Sequence, residues 1–121
     1  MTETYSNLYI NSLSEESFIA GTYKEFTFDY FDIDGDPVNI SSFTCAWVLS
    51  PFGSPDTVSL SKSGVYRTDC LTNNRFTVYL YSDDTLLLSG KYVQQPIITG
   101  NPGYDFRLGQ GIINIIPAIT G

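Results

Sequence analysis

A chain of 121 residues is long enough for one compact domain with a core and too short for two ordinary ones. Hydrophobic residues make up 42% and charged residues only 16%, with nine Tyr and eight Phe, a composition that fills a core and favours strands over disorder. Thirteen acidic against six basic residues give a net charge of -7, and the cations Lys24, Lys62, Arg67, Arg75, Lys91 and Arg107 are scattered singly, which argues against nucleic acid and against an anionic membrane surface as partners.

Residues 1–16, MTETYSNLYINSLSEE, lack both the basic stretch and the apolar run of a secretory signal, so synthesis and residence in a cytosol are expected. They are polar with isolated apolar positions at Tyr5, Leu8, Tyr9, Ile10 and Leu13 and read as an N-terminal arm ahead of a domain over residues 17–121. An apolar-dotted extension with no core of its own to join is a candidate for contact with a neighbouring protein.

From Tyr23 the segment YKEFTFDYF alternates, with Phe26, Phe28 and Tyr30 on one face and Thr27 and Asp29 on the other, the period of a half-buried strand. FDIDGDPVNIS follows, with Asp32, Asp34 and Asp36 around Gly35. A two-residue loop there would set Asp29 opposite Ile40. A three-residue loop, Ile33-Asp34-Gly35 with Gly35 left-handed, sets Tyr30 opposite Val38 and Phe28 opposite Ile40, and predicts a hairpin that pins the first two strands in register. The same stretch is a candidate calcium loop. Counted from Asp32 as an EF-hand, however, its glycine comes two positions early and Phe43 stands where the bidentate glutamate belongs. A bare solvated turn and a weakly held cation between Asp32 and Asp36 are both open readings.

SFTCAWVLS alternates Cys45, Trp47 and Leu49 against Thr44, Ala46 and Val48, then breaks at SPFGSPD before a short strand, TVSL. After Gly64 and the turn TNN, RFTVYLY points Phe76, Val78 and Leu80 inward and Thr77, Tyr79 and Tyr81 outward. SDDTLLLSG changes period, and Ser82 as N-cap, Asp83 and Asp84 in the first turn and Gly90 at the end predict a helix of about two turns. KYVQQPIIT reads as a strand whose Pro96 suits an edge or a bulge, and YDFRLGQGIINIIPAI as a long last strand bent at Gly109 and Gly111. Its isoleucines fall on both faces, so both are buried. The second is covered either by the domain itself or by another subunit, for which Ile113 and Ile115 are the contact candidates.

Short strands separated by Gly, Pro, Asn and Asp turns, with one short helical link, predict an all-β fold, an antiparallel immunoglobulin-like β-sandwich with an extended N-terminal arm. Cys45 and Cys70 have neither CxxC spacing nor a histidine partner, which leaves reduced thiols, favoured in a cytosol, or one disulfide. With no histidine in the chain, a Ser-His-Asp or Cys-His site cannot be assembled from it. The acidic pairs Asp34-Asp36 and Asp83-Asp84 are explained by turn and helix-start chemistry before glycoside hydrolysis is needed. No enzyme activity and no cofactor are expected. Tyr79 and Tyr81 either stack on sugar rings or a partner, or lie under the second sheet or the helical link.

FTFDYFDIDGDPVNIS, FTCAWVL, NNRFTVYLYSDDTLLLSGKYVQQPIIT and RLGQGIINIIP, in that order, resemble the immunoglobulin-like N-terminal domain of phage upper-baseplate proteins and related small phage virion proteins, over residues 18–118. The resemblance carries no catalytic residues. It implies a non-enzymatic structural protein of a tailed bacteriophage virion, made in the host bacterial cytoplasm and touching capsid or tail proteins in multiple symmetric copies. In that family the domain is followed by segments that carry fibres, whereas this sequence stops at Gly121, so head-decoration, neck and tail or baseplate accessory roles stand side by side. The alternative is a carbohydrate- or receptor-binding β-sandwich module.

Overall fold

The computed structural model describes residues 13, 15–32, 34–100, 105–107 and 109–119. Along them run β1 (Glu16–Ile19), β2 (Lys24–Asp29), β3 (Thr44–Pro51), β4 (Leu60–Ser63), β5 (Val65–Tyr66), β6 (Arg75–Leu80), the helical turn α1 (Ser82–Thr85), β7 (Gly90–Thr99), β8 (Asp105–Arg107) and β9 (Gly111–Ile116). They form two sheets. The larger has the order β1-β9-β7-β3-β4, with β8 also on β7, and the smaller is β2-β6-β5. Taking β2 to β7 as strands B, C, C′, D, E and F and β9 as G, the arrangement is B-E-D against G-F-C-C′, the immunoglobulin sandwich. All ladders are antiparallel except that of β1 on β9, where Glu16 faces Ile113 and Ile19 faces Ile116 in parallel.

Alternation places the core. Phe26 and Phe28 of β2, Cys45, Trp47 and Leu49 of β3, and Phe76, Val78 and Leu80 of β6 all point between the sheets and are buried. The indole of Trp47 is the centre: Phe26 stacks on it from the smaller sheet at 5.8 Å and 17°, and its Nε1–H donates to Gln94 Oε1 of β7 at 2.8 Å. Two residues before Gln94, the Tyr92 hydroxyl donates to the Ser89 carbonyl at 3.1 Å, the tyrosine corner of immunoglobulin domains. Antibody domains carry a disulfide beside this tryptophan. Here an aromatic ring and an amide flank it, and Cys45 and Cys70 are both free. The smaller sheet hides one outward residue: Thr77 is buried and shares its hydroxyl with Thr27 Oγ1 (3.0 Å) and Arg67 Nη1 (2.9 Å).

The FDIDGDPVNIS turn keeps the three-residue loop but not the hairpin. Asp32 N–H donates to the Asp36 carbonyl at 2.9 Å, Val38 N–H to that of Tyr30 at 3.1 Å, and Gly35 is left-handed at φ 84°. Tyr30 therefore faces Val38. Pairing then stops: Ile40 N–H turns to the Asn73 carbonyl at 2.8 Å, and Phe28 lies opposite Phe76 of β6. The stretch is an arch between the two sheets. Local turn chemistry sets the tip, but the sheet that receives the next strand is decided by long-range pairing. Phe28 and Ile40 do meet in the same core, 6% and 0% exposed.

The helical link is shorter than predicted and begins elsewhere. Tyr81, not Ser82, is the N-cap residue, and the Asp84 carboxylate reaches back to Tyr81 N–H at 2.8 Å. A Leu88 N–H bond to the Thr85 carbonyl closes the link after one turn. β7 is a central strand, so Pro96 is not at an edge. It lies between the last β9 pair, Gln94 with Gly111, and the first β8 pair, Ile97 with Arg107, where the register slips by one residue and Gly109 takes φ 131°.

Replacing Gln94 by Leu should leave the Trp47 N–H buried without its partner and lower stability by about 1–3 kcal/mol. Urea unfolding followed by the fluorescence of Trp47 measures this, and an unchanged midpoint would show that the amide does not hold the indole.

Candidate functional site

Of the predicted contact residues, Tyr5, Leu8, Tyr9 and Ile10 lie outside the described residues. The end of the arm belongs to the sandwich: Leu13 N–H donates to the Gln110 carbonyl at 3.0 Å, Asn114 Nδ2–H to Glu15 Oε2 at 2.5 Å, and β1 begins at Glu16. Ile113 and Ile115 are corrected. They point into the core, 0% and 2% exposed, and offer nothing to a neighbour. The outward positions of β9 are Ile112, Asn114 and Ile116. An unbroken apolar run conceals this parity, which only pairing with Tyr92 and Gly90 of β7 reveals.

The outward parity of β9 and its neighbours builds a surface that the sequence reading missed. β3 turns Val48 and Ser50 outward and β7 turns Val93, Gln95 and Ile97 outward, with Val48 opposite Gln95 and Ser50 opposite Val93. The β3–β4 connection rises beside them, carrying Phe52, Pro55 and Val58 as one wall, while Arg107 and Gln110 form the other, around a groove of about 500 Å³. That volume suits a small ligand or a few residues of extended peptide. The Phe52 ring is 54% exposed but held: its N–H donates to the Lys91 carbonyl at 3.0 Å, and Lys91 Nζ stands 4.4 Å from the ring centroid. No carboxylate is among the described residues that line it. Among the described residues the Arg107 guanidinium makes a long 3.5 Å contact with Asp105. An apolar floor with amide and guanidinium donors at its rim can bind; among the described lining residues no nucleophile is paired with a base.

The acidic turn is accounted for by its own backbone. Oxygen atoms of Asp32, Asp34 and Asp36 lie within 4.8 Å of one another, and Asp32 Oδ1 accepts from the N–H groups of Asp34 and Asp36, each at 2.9 Å. This is the Asx-turn that selects aspartate at such a position without a cation. Asp84 is likewise engaged in cap and ion pair: burial acts to raise its carboxyl, but Lys62 Nζ at 2.9 Å and the Tyr81 amide outweigh that and hold it below the usual carboxylate range. Tyr79 is half-buried and Tyr81 56% exposed. Tyr23 and Lys62 cover part of Tyr81, the Tyr23 ring at 5.7 Å and tilted 47°, Lys62 Nζ at 5.4 Å from the ring centroid. The Tyr23 hydroxyl donates to Glu25, which lifts its pKa to about 12.

The two thiols differ. Burial pushes Cys45 up to about 11, whereas a hydrogen bond with Thr72 holds the partly exposed Cys70 below its ordinary value. Because the thiolate is the nucleophile, iodoacetamide at pH 8 should alkylate Cys70 and spare Cys45 until the chain is unfolded. Mass spectrometry of native and denatured samples reads this, and modification of Cys45 in the native sample would contradict the burial assigned to it.

No protein-family model and no curated protein matches the chain. Among solved structures it is similar to part of an endo-fucoidan hydrolase from glycoside hydrolase family 107, with 14% sequence identity and a TM-score of 0.44, over 91% of this chain and 13% of that one. The chain thus spans a small fraction of that hydrolase's length.

Proposed function

We propose that this protein is a non-enzymatic structural subunit of a tailed bacteriophage virion, a head-decoration, neck or tail and baseplate accessory protein that binds capsid or tail neighbours in symmetric copies. The sequence resemblance to the upper-baseplate immunoglobulin-like domains motivates the reading. The observation that carries it is the groove on the outer face of the larger sheet. In a chain of net charge -7, an apolar surface without carboxylates is where another acidic protein can approach without repulsion. Contact there would be made by Val48, Val93 and Ile97 on the floor and Phe52 on the wall.

Substituting Ile97 by Glu places a charge on the floor while leaving the core untouched. Particles assembled with this variant should carry at least about tenfold less of the subunit, the loss expected when a contact worth about 1.4 kcal/mol is removed. Quantitative blotting of purified particles measures it, with thermal unfolding of the free subunit as the control for folding. Full incorporation of a folded variant would count against the proposal.

A second reading, a carbohydrate- or receptor-binding module, draws on the exposed part of Tyr81 above a shallow depression shared with Ser61, Lys62 and Tyr79. Glycan-array binding that disappears with Tyr81→Ala would select it, and an array without hits would set it aside.

A further inference from the structure

We propose that Lys62 is an edge guard, a fixed charge on the open side of β4 that keeps a second copy of the chain from adding to the larger sheet edge to edge. The inference concerns the subunit by itself and does not rest on a place in a virion.

β4 ends the larger sheet, and among the described residues no strand pairs with its outer side. Gly64 N–H donates to the Cys45 carbonyl at 2.8 Å, which in the β3–β4 register makes Leu60 and Lys62 the residues that bond to β3. The N–H and C=O groups of Ser61 and Ser63 then point away from the sheet. Such a row of groups is a template for another strand. Two β4 strands running antiparallel about Lys62 would set Ser61 of each copy opposite Ser63 of the other and satisfy all of them. Lys62 would then face Lys62 of the second copy in a pair without hydrogen bonds, where Cα atoms are only about 4.5 Å apart.

The lysine is placed to forbid that pairing. It lies opposite the buried Trp47, so its side chain takes the inward parity, and at the sheet edge this brings it to the side of the sandwich. There Asp84 Oδ2 at 2.9 Å and the Tyr81 ring, its centroid 5.4 Å from Nζ, hold the ammonium beside the strand. It shares the shallow depression with Val65, Tyr79 and Tyr81, where the side chain of an added strand would have to lie. Pairing would strip the remaining water from an ammonium and a carboxylate that are 23% and 20% exposed, and like charges directly opposite each other are destabilising. β2, at the end of the smaller sheet, is guarded by the opposite sign. Tyr30 N–H donates to the Asn74 carbonyl, which turns the backbone groups of Glu25, Thr27 and Asp29 outward, and pairing about Thr27 would oppose Glu25 to Asp29 of the second copy.

Sedimentation equilibrium of the full chain reads the self-association constant. Lys62→Val, and Lys62→Gln, which keeps a donor for Asp84, should each raise it at least about fivefold over the unsubstituted protein, because a neutral pair replaces two opposed charges. Lys62→Arg should leave it unchanged. Adding Ser61→Pro or Ser63→Pro to Lys62→Val should cancel the rise, since neither N–H is used by β3 and a proline there removes a donor from the open edge alone. Thermal unfolding shows which variants are folded, and Lys62→Gln carries the test if valine loosens the fold. No rise in a folded, neutral variant would overturn the proposal. So would an equal rise with Lys62→Arg, which would deny the charge its role, and a rise that survives both prolines, which would place the contact away from β4.

Discussion

The buried indole of Trp47 holds the two sheets in one relation. A ring of this size buries about 150–250 Å², which at about 25 cal/mol per Å² contributes roughly 4–6 kcal/mol, but only if its N–H finds an acceptor. Gln94 supplies that acceptor from β7 and Phe26 supplies the stacked face from β2, so a single side chain ties β2, β3 and β7 together. Immunoglobulin domains that use a disulfide at this place rely on an oxidising compartment. Stacking and an amide hydrogen bond do the same joining in any redox state, with both cysteines left as free thiols.

That interaction also determines the outer surface. Once Gln94 must face Trp47, the period of two obliges Val93, Gln95 and Ile97 to face out. Trp47 inward likewise puts Val48 outward. The groove is thus the reverse side of the core, and its residues cannot be moved to the other face without breaking the Trp47–Gln94 bond. Its wall is local in origin, since Pro51, Gly53 and Pro55 turn the β3–β4 connection back over the sheet and Lys91 fixes Phe52 in place.

Much of the sandwich was legible because alternation reports burial directly. Phe26, Phe28, Trp47, Leu49, Phe76, Val78 and Leu80 all stand where their period places them. What escaped was set by distant partners. β1 has no alternation of its own and exists because β9 offers an edge, and β5 is two residues long. The Asp-Gly turn reads the same whether the next strand stays in the sheet or crosses to the other, so the arch looked like a hairpin. The isoleucine run gave the presence of a buried strand but not its parity, which is why Ile113 and Ile115 were contact candidates while Val93 and Ile97, split by two glutamines and a proline, were passed over. Asp32, Asp34 and Asp36 looked like metal ligands because cation loops and Asx-turns call for the same residue type.

The distribution of charge separates the groove from the rest of the surface. Arg75 grips Asp29 with two hydrogen bonds, at 2.7 and 3.1 Å, Lys62 pairs with Asp84, and Arg67 with Asp69, so three of the six cations hold strands and loops to carboxylates. Lys91 and Arg107 are placed otherwise: the first stacks on an aromatic wall, and the second stands at a rim, where its contact among the described residues is the 3.5 Å one with Asp105. An antiparallel sheet with one face in water ordinarily alternates apolar and polar along each strand. β7 departs from this by carrying Val93 and Ile97 outward, and among the described residues no carboxylate lines the groove beneath. Solubility alone gives no reason for an apolar floor on the outer face of the sheet, and that floor is the feature the proposed contact with a neighbouring protein draws on.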